Sequence, residues 1–186
     1  TLVYSDKPKS ILQRPDAIKC SLELHSMSKG FNMTGWRLAF FCGASWAVKA
    51  LAHVKDNTDS GQFKAIQEAA SVGIIDNEIV NSIVNHYKER LIKMVDVLKR
   101  VGFDAKIPDG TFYLYVKAPK GAKNINFKNA EEAALYLIKY YGISTVPWDD
   151  IGSFLRFGAV FESLNIDDDR VLKILEQRLL SAELSF

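Results

Sequence analysis

Residues 26–37 have the sequence SMSKGFNMTGWR, a loop of mostly small residues with glycines at positions 30 and 35. A short, partly alternating strand is predicted before this loop, over residues 20–25. The loop leads into WRLAFFC, residues 36–42, a nearly continuous apolar run that is typical of a strand buried on both faces. In open α/β sheets, ligands bind at the carboxyl ends of strands. The sequence therefore predicts an α/β lobe with a binding site at this loop.

The side chains of this loop favour an aldehyde ligand that carries a phosphate. A lysine amine such as that of Lys29 condenses with a carbonyl when desolvation or a second cation lowers its pKa. Arg37 supplies that cation, and its planar guanidinium can hold a phosphate in bidentate fashion. Ser26 adds a hydroxyl for the same phosphate. The alternative, from composition alone, is a solvated loop with an unrelated lysine and a structural arginine.

Length and composition describe an ordinary globular protein. The 186 residues are 48% hydrophobic and 25% charged, and the net charge of +2 leaves no basic surface of the kind that binds nucleic acid. No apolar run reaches the roughly 18–20 residues that cross a bilayer. We therefore expect neither a nucleic-acid nor a membrane partner.

Metal and nucleotide motifs are missing from the sequence. Cys20 and Cys42 have no zinc or redox spacing and suit a reducing cytoplasm, whereas His25, His53 and His86 are too far apart to form a ligand pair. No Gly-rich nucleotide fingerprint occurs. We therefore predict no metal site.

The rest of the chain predicts a second, smaller lobe. Apolar residues repeat at intervals of three and four over residues 77–101, which indicates one long amphipathic helix ended by Gly102. Strands are predicted over residues 103–107, 111–117, 143–146 and 154–161, and helices over 129–140 and from 165 to about 181. The expected architecture is an α/β domain, residues 1–76, followed by a small α+β domain, residues 77–186.

Residues 26–39 resemble the pyridoxal-phosphate attachment signature of class I and II aminotransferases. Small residues, Ser28, Lys29, Gly35, Arg37 and Ala39 stand at its defining positions. Further segments look like bacterial LL-diaminopimelate aminotransferases and their near relatives: residues 8–12 (PKSIL), 23–37, 59–67 (DSGQFKAIQ), 110–115 (GTFYLY), 145–147 and 155–157 (LRF). The resemblance covers nearly the whole chain and implies the C-terminal half of such a protein, namely the end of its large α/β domain and its small domain.

The resemblance assigns roles to the residues of the loop. Lys29 would bind the aldehyde of pyridoxal 5'-phosphate and then act as the base that moves a proton between the substrate Cα and the C4′ atom of the cofactor. Ser26 and Arg37 would hold the cofactor phosphate, with Ser28 beside them.

Two further positions match family residues outside the loop. Asn57 falls where the family contacts cofactor or substrate near the dimer interface, and a helix-capping role is equally compatible with its sequence. Arg156, in LRF, matches the arginine that pairs with the α-carboxylate of the substrate, and the alternative is an arginine at the surface of a strand edge.

Several motifs of the family's first half are not in these 186 residues, among them the aspartate that pairs with the pyridine nitrogen. That aspartate lets the cofactor accept electrons from the substrate. We therefore expect the 186-residue stretch alone to be inactive, and the parent protein to be a cytoplasmic homodimer.

The resemblance implies transfer of an amino group between an amino acid, such as LL-diaminopimelate, and a 2-oxo acid, such as 2-oxoglutarate. An aspartate, alanine or aromatic aminotransferase is the alternative within the family. A non-catalytic aminotransferase-like sensor domain of a transcription regulator is the alternative from another class, and a basic DNA-binding domain before residue 1 would favour it.

Overall fold

The computed structural model describes residues 2–4, 8–162 and 166–186. The chain forms two compact units, Thr1–Asn85 and His86–Phe186, and the boundary falls inside one long helix. No helix in these described ranges is both long and apolar enough to cross a membrane. The division at residue 76 expected from the sequence stays a prediction.

The first unit is built on a two-stranded antiparallel sheet. Its elements are helix α1 (Ala17–Cys20), strand β1 (Leu22–Ser26), helix α2 (Met27–Gly30), strand β2 (Ala39–Gly43), helix α3 (Ser45–Thr58), helix α4 (Lys64–Ile75) and the start of helix α5 (Asn77–Val101). Single 3-10 turns cover Ile11–Gln13 and Thr34–Trp36. Strands β1 and β2 pair with each other, and we call this pair the β-ribbon.

The apolar run of residues 36–42 does not form the fully buried strand that its sequence predicts. Trp36 belongs to a 3-10 turn and Arg37 has a left-handed backbone (φ 53°), so strand geometry begins only at Ala39. Strand β2 is half-buried at best, because β1 is the one strand paired with it in the part of the chain that the structure describes. Cys20, predicted at the start of the preceding strand, lies in helix α1 instead.

The second unit combines two small sheets with three helices. After α5 come strands β3 (Tyr113–Lys117), β4 (Gly121–Ala122) and β5 (Ile125–Asn126), helix α6 (Ala130–Tyr141), strands β6 (Val146–Trp148) and β7 (Phe154–Gly158), helix α7 (Asp168–Ser181) and strand β8 (Leu184–Ser185). One antiparallel sheet has the order β3-β7-β6, and the other has the order β5-β4-β8.

Alternation along β3 and β7 separates a core face from an outer face. The core-facing residues of the two strands are almost fully buried, and they are Leu114, Val116, Leu155 and Phe157. The helices contribute further buried side chains, among them Leu91, Met94 and Leu98 of α5, Leu137 of α6, and Leu172 and Leu179 of α7. Apolar side chains that repeat every 3.6 residues on the helices and every two residues on the strands thus pack together in one core.

The sequence predicts the long helix and the strands that contain β3 and β7 well, whereas β6 begins only at Val146, the last residue of the strand predicted over 143–146. Helix α5 covers Asn77–Val101, which confirms the prediction, and Gly102 follows it at φ 115°. A Cβ on Gly102 would lie 2.8 Å from the Phe186 ring, so both conformation and space require glycine here. Residues 103–107 are not a strand. The amide of Phe103 donates to the carbonyl of Leu98 in α5, and the amide of Ala105 donates to the carbonyl of Phe103. The predicted start of the last helix at residue 165 lies outside the described residues.

Hydrogen bonds from Arg90 connect three parts of the second unit. Its Nε and Nη2 donate to the two carboxylate oxygens of Asp168 at 2.7 and 2.8 Å, and its Nη1 donates to the carbonyls of Ala159 and Phe161. Only 10% of the Arg90 side chain is exposed. This bidentate pair therefore joins helix α5 to the segment after β7 and to the start of α7.

We predict that Arg90→Ala lowers the free energy of unfolding by roughly 3–5 kcal/mol, because it removes a nearly buried guanidinium that binds both carboxylate oxygens of Asp168 and two backbone carbonyls. Arg100→Ala is the matched control on the same helix. The pair that Arg100 forms with Glu176 is more exposed, so its loss should cost much less than the loss of the Arg90 pair. Urea denaturation measures the free energy of unfolding of both variants. Equal decreases would show that the Arg90 pair does not contribute more to stability than an exposed ion pair.

Candidate functional site

The register of the β-ribbon closes the loop of residues 27–38. Ser26 lies directly opposite Ala39, and the amide of Met27 donates to the carbonyl of Leu38 at 3.0 Å. Because Arg37 immediately precedes Leu38, this pairing brings Ser26 and Arg37 to the same end of the ribbon. Met27 is fully buried and anchors the base of the loop.

Ser26 organises the first turn after strand β1. Its Oγ accepts a hydrogen bond from the amide of Ser28 at 3.1 Å, which caps the short helix α2. Lys29 follows in that same turn and is exposed, and Ser28 is half-buried. The hydroxyl of Ser26 accepts the capping bond and therefore keeps its own proton for an acceptor such as a phosphate oxygen.

Thr34 joins the two ends of the loop and was not singled out from the sequence. Its Oγ1 donates to the Ser28 carbonyl at 2.8 Å, and its own carbonyl accepts a hydrogen bond from Nη1 of Arg37 at 3.1 Å. No other hydrogen bond of Arg37 occurs within the described ranges. Most donors of its guanidinium are thus available to an anion. Only the position of Thr34 inside the signature could have indicated this role.

The charge of this segment is entirely positive. No Asp or Glu occurs from Ser26 to Lys55, whereas Lys29 and Arg37 both lie in the loop. A concentration of one sign of charge attracts a ligand of the opposite sign. The arrangement is therefore suited to a phosphate group held beside a primary amine.

Asn57 does not belong to the loop of residues 26–37. It lies within helix α3, one residue before its end at Thr58, and its Nδ2 donates to the His53 carbonyl at 2.7 Å. The structure gives it no hydrogen bond to Ser26, Lys29 or Arg37. Its role at the cofactor stays a prediction.

Arg156 lies in the second unit, on the outer face of the β3-β7-β6 sheet. It is the central residue of β7 and is paired with Tyr115 on one side and Val146 on the other. Its Cζ lies 4.3 Å from the centroid of the Tyr113 ring and 5.9 Å from that of Trp148. These aromatic rings frame the guanidinium and fix its plane by cation–π contact.

The Nε of Arg156 is buried and has no hydrogen-bond partner among the residues that the structure describes. The same holds for Oγ1 of Thr145 and Nε1 of Trp148 on the adjoining strand region. A buried donor without a partner is unfavourable, and a charged one especially so. A carboxylate ligand at Arg156 would supply the missing acceptor, and the burial of Nε is evidence against a simple surface arginine.

Comparison with known proteins agrees with these features. Residues 3–161 match the family described as aminotransferase class I and II. The chain is 48% identical to an LL-diaminopimelate aminotransferase of Methanococcus maripaludis and also 48% identical to one of Methanocaldococcus jannaschii; both alignments cover all of this chain and 46% of the relative. The chain thus spans about half the length of these relatives.

A solved structure supports the fold. The substrate-bound BacF structure from Bacillus subtilis superposes with a TM-score of 0.83 at 28% identity, over 98% of this chain and 45% of BacF. The predicted α/β fold class of an aminotransferase-like protein is thereby confirmed. The chain belongs to the class I and II aminotransferases, a pyridoxal-phosphate-dependent family, which confirms both the resemblance and the cofactor expected from its sequence.

Proposed function

We propose that the protein is a pyridoxal-phosphate-dependent aminotransferase in which the loop of residues 26–37 binds the cofactor. The observation that carries the proposal is the closure of this loop by the β-ribbon. It gathers the hydroxyl of Ser26, the amine of Lys29 and the guanidinium of Arg37 on one connection between two paired strands. Fixed placement of reacting and binding groups is the main contribution of a protein to cofactor chemistry.

The residues present fit the cofactor. When bound, pyridoxal phosphate supplies an aldehyde that condenses with amines and a ring that accepts electrons from the substrate Cα. Ser26, Ser28 and Arg37 would bind its phosphate. Lys29 would bind its aldehyde and would take and return the proton at the substrate Cα.

Arg156 would hold the α-carboxylate of the amino acid and of the 2-oxo acid. The unpartnered Nε and the rings of Tyr113 and Trp148 support this role, because they leave the guanidinium oriented but without a counter-charge in the described structure. A bidentate contact to a carboxylate fixes the orientation of the substrate as well as its affinity.

For the substrate we propose LL-diaminopimelate with 2-oxoglutarate as amino acceptor. The support is the 48% identity to two relatives that carry the name LL-diaminopimelate aminotransferase. The pathway would then be lysine biosynthesis. Since the chain covers less than half of those relatives, the assignment concerns the whole protein of which these residues are part.

A homodimer is the assembly that we propose. The first unit exposes large apolar side chains, including Leu24 at 70%, Trp46 at 62% and Phe63 at 72%. These exposed side chains are candidates for cover by other parts of the protein or by another subunit. The two cysteines are free thiols, which supports a location in the reducing cytoplasm.

The substrate proposal is tested by assaying the full-length protein with pyridoxal phosphate. We expect glutamate to form from LL-diaminopimelate and 2-oxoglutarate, and Lys29→Ala to abolish its formation. Faster turnover of aspartate, alanine or an aromatic amino acid would overturn the substrate assignment but leave the reaction class. No turnover with any amino acid, together with retained cofactor binding, would instead favour a sensor domain.

We predict that Arg37→Lys weakens pyridoxal-phosphate binding about 10- to 100-fold, because the substitution keeps the charge but loses the planar fork, and a charged hydrogen bond contributes roughly 1.5–3 kcal/mol. Titration of the apo protein with cofactor measures the change. Arg14→Lys, an exposed arginine outside the loop, is the control. Unchanged affinity of the Arg37 variant would mean that this arginine serves only its bond to Thr34.

We predict that Arg156→Ala lowers kcat/KM for every amino acid substrate by at least about 30-fold, since truncating one partner of a buried charge pair costs about 2 kcal/mol or more. Cofactor affinity should stay nearly unchanged. Arg170→Ala, at the exposed start of α7, is the control. A loss confined to one substrate would show that Arg156 recognises a side chain rather than the shared α-carboxylate.

A further inference from the structure

One face of the β-ribbon places three metal-ligand side chains together. Glu23 and His25 are two residues apart on β1 and therefore share a face, and Cys42 lies directly opposite Glu23 on β2. One ligand atom from each residue, namely a carboxylate oxygen, an imidazole nitrogen and the thiol sulfur, lies within 4.8 Å of the other two. None of these three residues is among those assigned to the cofactor, although His25 directly precedes Ser26 in β1.

The carboxylate of Glu23 is oriented by its neighbours. Its Oε1 accepts hydrogen bonds from the Ser10 hydroxyl at 2.7 Å and from the Ile11 amide at 2.8 Å. Its Oε2 is thereby left facing Nε2 of His25 at 2.9 Å. The hydrogen bond from Ser10, followed by that from His25, lowers the pKa of Glu23 from its usual value.

The other two donors are also fixed in place. The His25 ring stacks on Phe40 with centroids 4.9 Å apart and planes within 10°, which sets the direction of its nitrogens. The Sγ of Cys42 lies 3.8 Å from the backbone carbonyl of Glu23. The His25 side chain is 43% exposed in this chain. Outer contacts that orient ligands in this way are typical of metal sites.

We propose that Glu23, His25 and Cys42 bind a divalent cation of the zinc class, with water as the fourth ligand. Carboxylate, imidazole and thiolate are the ligands that zinc takes, at about 2.0–2.3 Å, which places ligand atoms about 3.3–3.8 Å apart in a tetrahedral site. The three donors lie within 4.8 Å of one another, so binding would draw them closer to that spacing. On binding, the Cys42 thiol releases its proton to solvent, and one thiolate and one carboxylate balance the charge of the cation.

The bound ion would cross-link β1 and β2, the two strands that hold the ends of the cofactor loop. The spacing of cysteines and histidines along the sequence does not indicate this site, because Cys42 meets Glu23 and His25 only through strand pairing. The proposal does not depend on the function proposed above, and its test needs no enzyme activity.

The test is alkylation of the full-length protein, freed of metal by a chelator, with iodoacetamide in the presence and absence of Zn²⁺. Peptide mapping gives the modified fraction at Cys42, and the exposed Cys20 serves as internal control. We expect Zn²⁺ to protect Cys42 and not Cys20. Mg²⁺, which prefers oxygen ligands, should protect neither thiol.

The variants Glu23→Gln and His25→Gln each remove one ligand and keep a side chain of similar size. Each should raise the Zn²⁺ concentration needed for protection by at least about tenfold, the lower bound for loss of even an outer-shell partner. His53→Gln, an exposed histidine outside the cluster, should change nothing. Alkylation of Cys42 that is independent of Zn²⁺, equal protection of Cys20, or unchanged protection in both ligand variants would each overturn the proposal.

Discussion

The antiparallel register of β1 against β2 is the constraint on which the first unit's site depends. It pairs Ser26 with Ala39, and it converts residues 27–38 from an open connection into a closed loop. A slip of one residue would turn Ser26 to the other face of the ribbon and separate it from Arg37. The same register places Glu23 against Cys42, so the cofactor loop and the proposed metal cluster both follow from one strand pairing.

Within the second unit, the position of the candidate site is set by the alternation of core-facing and outward-facing side chains along β3 and β7. Leu155 and Phe157 face the core, so Arg156 between them must face the other way, where the Tyr113 and Trp148 rings frame it. The Arg90–Asp168 pair fixes the start of α7 beside the segment after β7. The position of the guanidinium is therefore set by core packing rather than by a mobile loop.

Long elements and the signature loop could be predicted from the sequence. The 3.6-residue apolar period over Asn77–Val101 and the glycine after it define α5, and the spacing of Lys29 and Arg37 indicates the family. Features set by tertiary contact could not be predicted in this way. Strand geometry starts only at Ala39, because Arg37 adopts a left-handed backbone conformation. The pattern of apolar residues does not predict that conformation. The bridging role of Thr34 depends on how the loop folds back on Ser28, and the meeting of Cys42 with Glu23 depends on strand pairing across 19 residues.

The central claim is that Lys29 is the residue that binds the cofactor covalently. Borohydride reduction of the full-length protein with pyridoxal phosphate, followed by peptide mapping, tests it most directly because reduction makes the link permanent. The account predicts a pyridoxyl group on the peptide that contains Lys29 and on no other lysine of the first unit. A label on another lysine, such as Lys49 or Lys55, with Lys29 unmodified would contradict it.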